Sequence, residues 1–395
     1  MIRPSPSKKR VIVVGGGIFG VSSATHLARL CEVTLVTEGA LADGASGRSL
    51  SWLNSARRRS AAYHHLRMAG IDRYRTLFAS NPGVDWLKFD GGLTWDADNE
   101  TNEIAAVFRH ERSIGYDAQL LAPDEAARAT PGVNVRAITR QGAIFNAGEG
   151  WVDLPSLIRH LSAEFVRKGG RVLENSRAAV IVEANRACGV TTPRGDRLEA
   201  DAVLLAVGPA TPPILGNAGI RMPDATPISL LVKTRPLRLS LRAVLNTPRV
   251  AVRPTPDGAL ALDSAWSEEE VIRNGDGSYE VKTSTIEGLL KEASAVLEGK
   301  PDLELESYGL GPKPIPGDGE PVIGELDQVR DYYVAFSHSG ATLGLIVGEM
   351  LASEIATGER HPMLDPFRPG RFSQALGKAE GGNAHASQAQ SRRSP

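Results

Sequence analysis

Apolar positions fall into three kinds of run along this chain. The first kind is short, continuous and mostly β-branched, as in Val11-Ile-Val-Val14 and Ala202-Val-Leu-Leu-Ala206. Such runs predict strands buried on both faces of a parallel sheet. Arg171–Glu174, Ala178–Glu183, Gly189–Thr192 and Asp331–Phe336 read as further strands. The second kind has helical spacing. It covers Val21, Ala24, Leu27 and Ala28, then residues 61–79, Leu154–Lys168, 285–298 and Ala341–Thr357. Asp153 is placed to cap the helix at 154, with Pro155 in its first turn. The third kind is a series at hairpin spacing, Ile228–Thr234, Ala243–Asn246, Val250–Arg253 and Ala259–Asp263, which predicts an antiparallel sheet. Residues 86–96 read as a hairpin turning at Gly91-Gly92, and 123–130 as a short helix ended by Pro131-Gly132. Five prolines between 209 and 227 mark a crossing between domains.

The first strand runs straight into Gly15-x-Gly17-x-x-Gly20, then a helix, then a second strand, Glu32-Val-Thr-Leu-Val-Thr37, that ends at Glu38. Together these make a βαβ dinucleotide fingerprint. Gly15 permits the tight turn, Gly17 the approach of a pyrophosphate, and Gly20 the close packing of helix on strand. Ile18 and Phe19 open the helix, whose unpaired N–H groups suit phosphate. Glu38 lies near the usual spacing of about 20 residues for a ribose-binding acid. The motif leaves FAD and NAD both open. An acid at 38 disfavours a 2′-phosphate, so NADP fits least.

Composition narrows the picture. The 395 residues suffice for two domains, and the net charge of -1 gives no basic face for nucleic acid. Arg57-Arg58-Arg59 is the densest basic cluster and reads as a solvated loop or helix start. Cys31 and Cys188 make no disulfide framework and no metal spacing, which points to a reducing, cytoplasmic setting. Residues 1–9 have no apolar core of a signal peptide, and no run is long enough to span a membrane. Residues 377–395 are rich in Gly, Ala, Ser and Gln and read as a disordered tail, as do residues 1–9.

Four blocks give the chain a family likeness over roughly residues 9 to 360. They are VIVVGGGIFG with Glu38; GASGRS; GWVDLPSLIRHLSAEFVRKGGRV with ADAVLLAVG; and the pair Gly311–Gly324 and Ala335–Gly344. With these the chain resembles the FAD-dependent amino-acid and amine oxidoreductases, a group that includes D-amino-acid oxidase, glycine oxidase and sarcosine oxidase. The resemblance implies an α/β plus α+β fold: a Rossmann-like FAD-binding domain and a discontinuous antiparallel-sheet substrate domain. The interleaved elements then divide into 10–50, 142–210 and 305–365 for FAD, and 51–141 and 211–304 for substrate.

The same resemblance implies roles for particular residues. Ser46, Arg48 and Ser49 would contact the pyrophosphate, and Ser51 and Trp52 would lie near the flavin ring. Ala178 would reach the adenine, and Gly208 would let the chain pack beside the cofactor. Ser339, Gly340, Ala341, Thr342 and Leu343 would open a helix toward the flavin, whose reduced form a helix N-terminus stabilises. Lys313 would pair with a substrate carboxylate, and His338 would face substrate or flavin. His64, His65, Asn54 and Tyr308 are further candidates for the pocket. Residues 308–320 lack a cysteine and 43–55 lack a histidine, so non-covalent FAD is expected. The implied reaction is oxidation of a C–N bond, with O₂ or a quinone or other carrier taking the electrons. The alternatives are a 2-hydroxy-acid dehydrogenase, which would need a base such as His338 or His64, and an electron-transferring flavin subunit of a complex.

Overall fold

A computed structural model describes residues 8–372. The tail at 377–395 and most of the N-terminal stretch therefore lie outside the described residues. Lys9 is tied down: its ammonium donates to Ile355 O at 2.8 Å and lies 3.6 Å from Asp331.

The fingerprint strand, Arg10–Val14, occupies the middle of a nine-stranded sheet. It pairs in parallel with Glu32–Val36 on one side and Ala202–Leu205 on the other, with Val11 opposite Val33 and Ala202. Arg171–Leu173 extends one edge, and Val329–Phe336 pairs in parallel on the other side. Alternation along the strand sends Val11 and Val13 into one core and Ile12 and Val14 into another. Both faces are covered, which is why the run carries no polar residue.

Four helices pack on the first face. Ile18–Leu27 lies against Gly340–Thr357, and the contact needs glycine. A Cβ on Gly344 would meet the Ile18 side chain at 2.3 Å, and one on Gly348 would meet Ser22 Oγ at 2.2 Å. Ala61–Ser80 packs on the same helix, where Gly70 abuts the Thr342 carbonyl and Tyr74 donates to Ala341 O at 2.5 Å. Its N-terminus is capped by Ser60, which accepts from Tyr63 N. Leu154–Arg167 is capped as expected by Asp153, which accepts from Ser156 N at 3.1 Å.

The second sheet has eight strands, in the order Leu305–Pro312, Ile228–Thr234, Leu260–Asp263, Ala251–Pro254, Val244–Asn246, Gly92–Thr94, Ala143–Asn146 and Gln119–Leu121. All neighbours are antiparallel except Val244–Asn246 with Gly92–Thr94. Leu230, Val232, Val252, Leu260 and Leu262 turn one face toward the helix Thr283–Val296 and a core of its own. The other face carries Ser229, Asn246, Ala251, Asp263 and Gly311, and these line the cavity described below.

Three expectations need correction. Leu87–Lys88 and Gly92–Thr94 are strands but not a hairpin. The first joins a three-stranded sheet with Trp52–Leu53 and Gly150–Val152, while the second enters the eight-stranded sheet. At Gly91, with φ +86°, the chain turns away beneath the Phe145 ring, whose atoms would sit 2.7 Å from a Cβ there. The expected division also shifts. Ala143–Asn146 and Leu305–Pro312 hydrogen-bond into the second sheet, although 142–210 and 305–365 were assigned to the first. Third, the helix Ile104–Ser113 was not foreseen. Its buried residues are Ile104, Val107 and Glu111, so an acid occupies the third inward position of its short apolar stripe.

Candidate active site

The turn after each central parallel strand ends in one cavity of about 380 Å³, against the polar face of the eight-stranded sheet. Ligands in open α/β sheets gather at this carboxyl end of the strands. The cavity brings together Gly17, Ile18 and Phe19 from the fingerprint with Ser46, Arg48, Ser49, Ser51 and Trp52 from the loop that follows. From the far end of the chain come Lys313, His338, Ser339, Gly340, Ala341 and Thr342.

Two helix N-termini open here. Ile18–Leu27 begins at Gly17 and Gly340–Thr357 at Ser339, and neither N-cap residue closes its helix with its own side chain. Their partial positive charge is available to an anion. The glycines beneath have no room for a side chain. A Cβ on Gly15 (φ +121°) would lie 2.2 Å from Ala206 O, and one on Gly20 would lie 1.9 Å from Gly15 O. Ser46 Oγ accepts from Ile18 N at 3.1 Å and so binds the loop to the helix start. A pyrophosphate-bearing flavin nucleotide fits this cradle of small residues and free amides.

Other expected contacts lie elsewhere. Leu343 is wholly buried in the core. Glu38 is exposed beside Arg177, 3.9 Å away, and Ala178 packs against the second face of the parallel sheet. Gly208 has φ +55° and open space around its Cα. None of these four, nor Gly15 or Gly20, lines the cavity. Arg48 does line it, but its side chain lies across the strand Leu305–Pro312. Its Cδ sits 2.8 Å from the Cβ position of Gly309, its Nη1 donates to Asp43 O at 2.6 Å, and its buried Nε has no partner. Tyr308 faces solvent. His64 is buried away from the cavity, its Nδ1 2.9 Å from Ser55 Oγ.

The basic cluster is not a uniformly solvated loop. Arg57 pairs with Asp96 at 2.6 Å and Arg58 with Glu103 at 3.1 Å. Arg57 and Arg59 both line the cavity, and Arg59, half-buried, has no ion pair among the described residues and an unbonded Nε. Burial, then the nearby Arg67 charge, pushes its guanidinium down from its ordinary range. Arg67 is buried and, among the described residues, donates only to neutral groups: Asn54 O at 2.7 Å, Asn54 Oδ1 at 3.0 Å, the Tyr63 hydroxyl at 3.5 Å and Ser339 Oγ. Tyr63 also donates to Ser339 Oγ, at 2.6 Å. Arg67 and Tyr63 thereby fix the residue that opens the flavin-side helix.

On the sheet side, Lys313 is ion-paired with Glu268, which also accepts from Ser229 Oγ at 2.5 Å. Asp263 ends its strand at the cavity wall, and its carboxylate accepts no hydrogen bond from the described residues. Burial raises its carboxyl to about 6, with Lys313 lowering it and Glu268 raising it. His338 projects into the cavity. The protein packed around it, and then the charges of Lys313, Arg67 and Arg59, hold its imidazole well below the usual range.

Behind Trp52 lies a buried acid that sequence reasoning missed. Glu149 accepts from Trp52 Nε1 at 2.8 Å and from the Tyr116 hydroxyl, which itself accepts from Ser55 N at 2.9 Å. Burial pushes Glu149 up to about 8. Glu111, also raised by burial, accepts from Arg57 N at 2.7 Å. The available signal was an acid inside the apolar run Ala143–Val152. Similarly, Tyr63 and Arg67 stand one turn apart on the inward face of their helix. Among the described residues no group of side chains could hold a metal ion, and no helix is long and apolar enough to cross a membrane.

Comparison with known proteins agrees with this geometry. Glycine oxidase of Pseudomonas putida is 27% identical over 377 residues, covering 91% of this chain and 97% of that protein. The structure of glycine oxidase from Geobacillus kaustophilus superposes with a TM-score of 0.78 at 20% identity, covering 91% of this chain and 98% of that one. That of L-proline dehydrogenase from P. horikoshii gives 0.79 at 21% identity, covering 94% and 99%. The sequence profile of the FAD dependent oxidoreductases matches residues 10–354, nearly the whole described chain, and the protein belongs to that family.

Proposed function

We propose that the protein oxidises a C–N bond of an amino acid or related amine. Hydride leaves the carbon next to nitrogen, and the resulting imine takes up water to give a carbonyl compound and ammonia or an amine. Bound FAD supplies the hydride acceptor. The chain's own residues bind, orient and exclude water.

The observation that carries this reading is the pairing of two open helix N-termini with a cationic wall in one cavity. The termini suit the nucleotide, and the wall suits a substrate carboxylate. Lys313 shares its charge with Glu268, whereas Arg59 has no acid of its own, so Arg59 is the stronger anchor and Lys313 flanks it. Glu38 and Ala178 serve the adenosine end. The 2-hydroxy-acid alternative requires a base at the substrate hydroxyl. His338 is too weakly basic among three cations, and His64 is bonded to Ser55 outside the cavity. The glycine oxidase and L-proline dehydrogenase likenesses also favour an amino substrate.

Anaerobic mixing of the flavin-loaded protein with amines, amino acids and hydroxy acids tests the proposal. Bleaching of the flavin band by an amino compound is the expected result. Bleaching by hydroxy acids alone would overturn it. Repeating the mixing with O₂ or a quinone identifies the electron acceptor.

A further inference from the structure

Among the described residues, Asp263 is the one carboxylate lining a cavity otherwise rich in cations, and no side chain or amide among them donates to its carboxylate. Its place follows from strand alternation. Leu260 and Leu262 point to the sheet's own core, so Asp263 shares the cavity face with Ala251, directly opposite it in register. The neighbouring strand, where Val232 pairs with Leu262, contributes Ser229 to the same cavity. Ala251 is too small to shield it, and Ser229 is already bonded to Glu268.

We propose that Asp263 binds the substrate's ammonium group and takes one proton from it, leaving the neutral amine that hydride transfer requires. This rests on the C–N reading given above. The step is a proton transfer only. An N–H bond of the ammonium breaks, an O–H bond forms on the carboxyl, and the nitrogen lone pair is freed with no change in electron count. The pocket favours it because two opposite charges become two neutral groups in a poorly hydrated site. Arg59, flanked by Lys313, takes the carboxylate, so the amino acid has both of its charges matched within the cavity.

The charged groups bearing on Asp263 set its pH behaviour. Lys313 favours its ionised form and Glu268 opposes it. Arg59, Arg67 and neutral His338 line the same cavity, and Arg253 lies two positions along the adjacent strand from Ala251. With its carboxyl raised to about 6, Asp263 is ionised and receptive above that pH.

Two measurements on the flavin-loaded protein test the proposal, with Asp263→Asn as the variant and Asp263→Ser as a second should the first fold poorly. The first is equilibrium binding of matched pairs, acetate with glycine and propanoate with each alanine, read from the flavin spectrum. The wild type should bind at least one amino member at least tenfold more tightly than its carboxylate, and the variant should lose that preference while still binding the carboxylates. If no amino member outbinds its partner, or the variant keeps the preference, the proposal fails. The second is anaerobic bleaching against pH. The variant should lose tenfold or more at pH 7 and recover near pH 10, where the free amine is abundant. Unchanged bleaching at pH 7 overturns the proposal. Failure of the C–N reading has a different signature, since no amino compound would then bleach the wild type.

Discussion

A carboxylic acid shut away from water keeps its proton at a pH where the unfolded chain has released it. Glu149 is such a group, raised by burial from 4.5 to about 8. Between those values the native state holds one more proton than the unfolded state, so stability falls as pH rises through the window. Glu149→Gln keeps an acceptor for Trp52 and removes the titration. The variant should melt at least about 2 °C above wild type at pH 8.5, and the difference should vanish near pH 5. Calorimetry at the two pH values checks this. At the substrate end, Arg59→Ala should weaken acetate or benzoate binding about tenfold or more. Lys313→Ala should have the smaller effect, because removing it also frees Glu268. The ranking is read by titrating the flavin spectrum, and the reverse order would restore Lys313 as the principal anchor. Sequence alone could name Lys313, Trp52 and His338 because a family pattern marks their positions. It could not name Asp263, Arg59 or Glu149, since nothing local distinguishes an arginine left without an ion pair from its neighbours Arg57 and Arg58, which pair with Asp96 and Glu103.

Helices and strands carry their information in periodicity, and there the chain reads clearly. Ile228–Thr234 was placed to the residue, and Leu154–Arg167 to within one. What periodicity does not carry is pairing. Leu87–Lys88 and Gly92–Thr94 have the residues of a hairpin, yet each finds a partner more than fifty positions away. Pairing also gives the glycines of the last helix their meaning. Gly344 and Gly348 look like weak points in Gly340–Thr357 until Ile18 and Ser22 are laid against them. Gly344→Val should therefore lower the melting temperature by the equivalent of about 1–3 kcal/mol or more, as overpacking does. It should also reduce flavin content, because the contact sets the spacing of the two helix N-termini at the cavity. Flavin absorbance relative to protein absorbance after purification measures it. Gly20→Ala should act more severely, its Cβ having only the Gly15 carbonyl to meet.

At the level of the molecule, the fingerprint announces one half of the site and the sequence some three hundred residues later supplies the other. The two-part architecture was legible from where the α/β and antiparallel runs fall. The boundaries at 142 and 305 were not, because Ala143–Asn146 and Leu305–Pro312 carry ordinary strand composition and their sheet is decided by distant partners. The central strand has a consequence for the order of events during synthesis. Arg10–Val14 leaves the ribosome well before its neighbour Ala202–Leu205, and the helix that seals its glycine turn, Gly340–Thr357, follows later still. Parallel pairing across such separations closes slowly. Until Ala202–Leu205 emerges, a growing chain holds Arg10–Val14 with one edge unpaired, and until Gly340–Thr357 emerges one apolar face of the sheet stays uncovered, the kind of surface that attracts chaperones or other unfinished chains. A chain stopped before residue 320 should accordingly be recovered as aggregate without flavin, whereas one ending at 372 should be soluble and yellow. Cofactor capture thus waits for the helix Gly340–Thr357, which completes the cavity, and is not timed by the fingerprint motif.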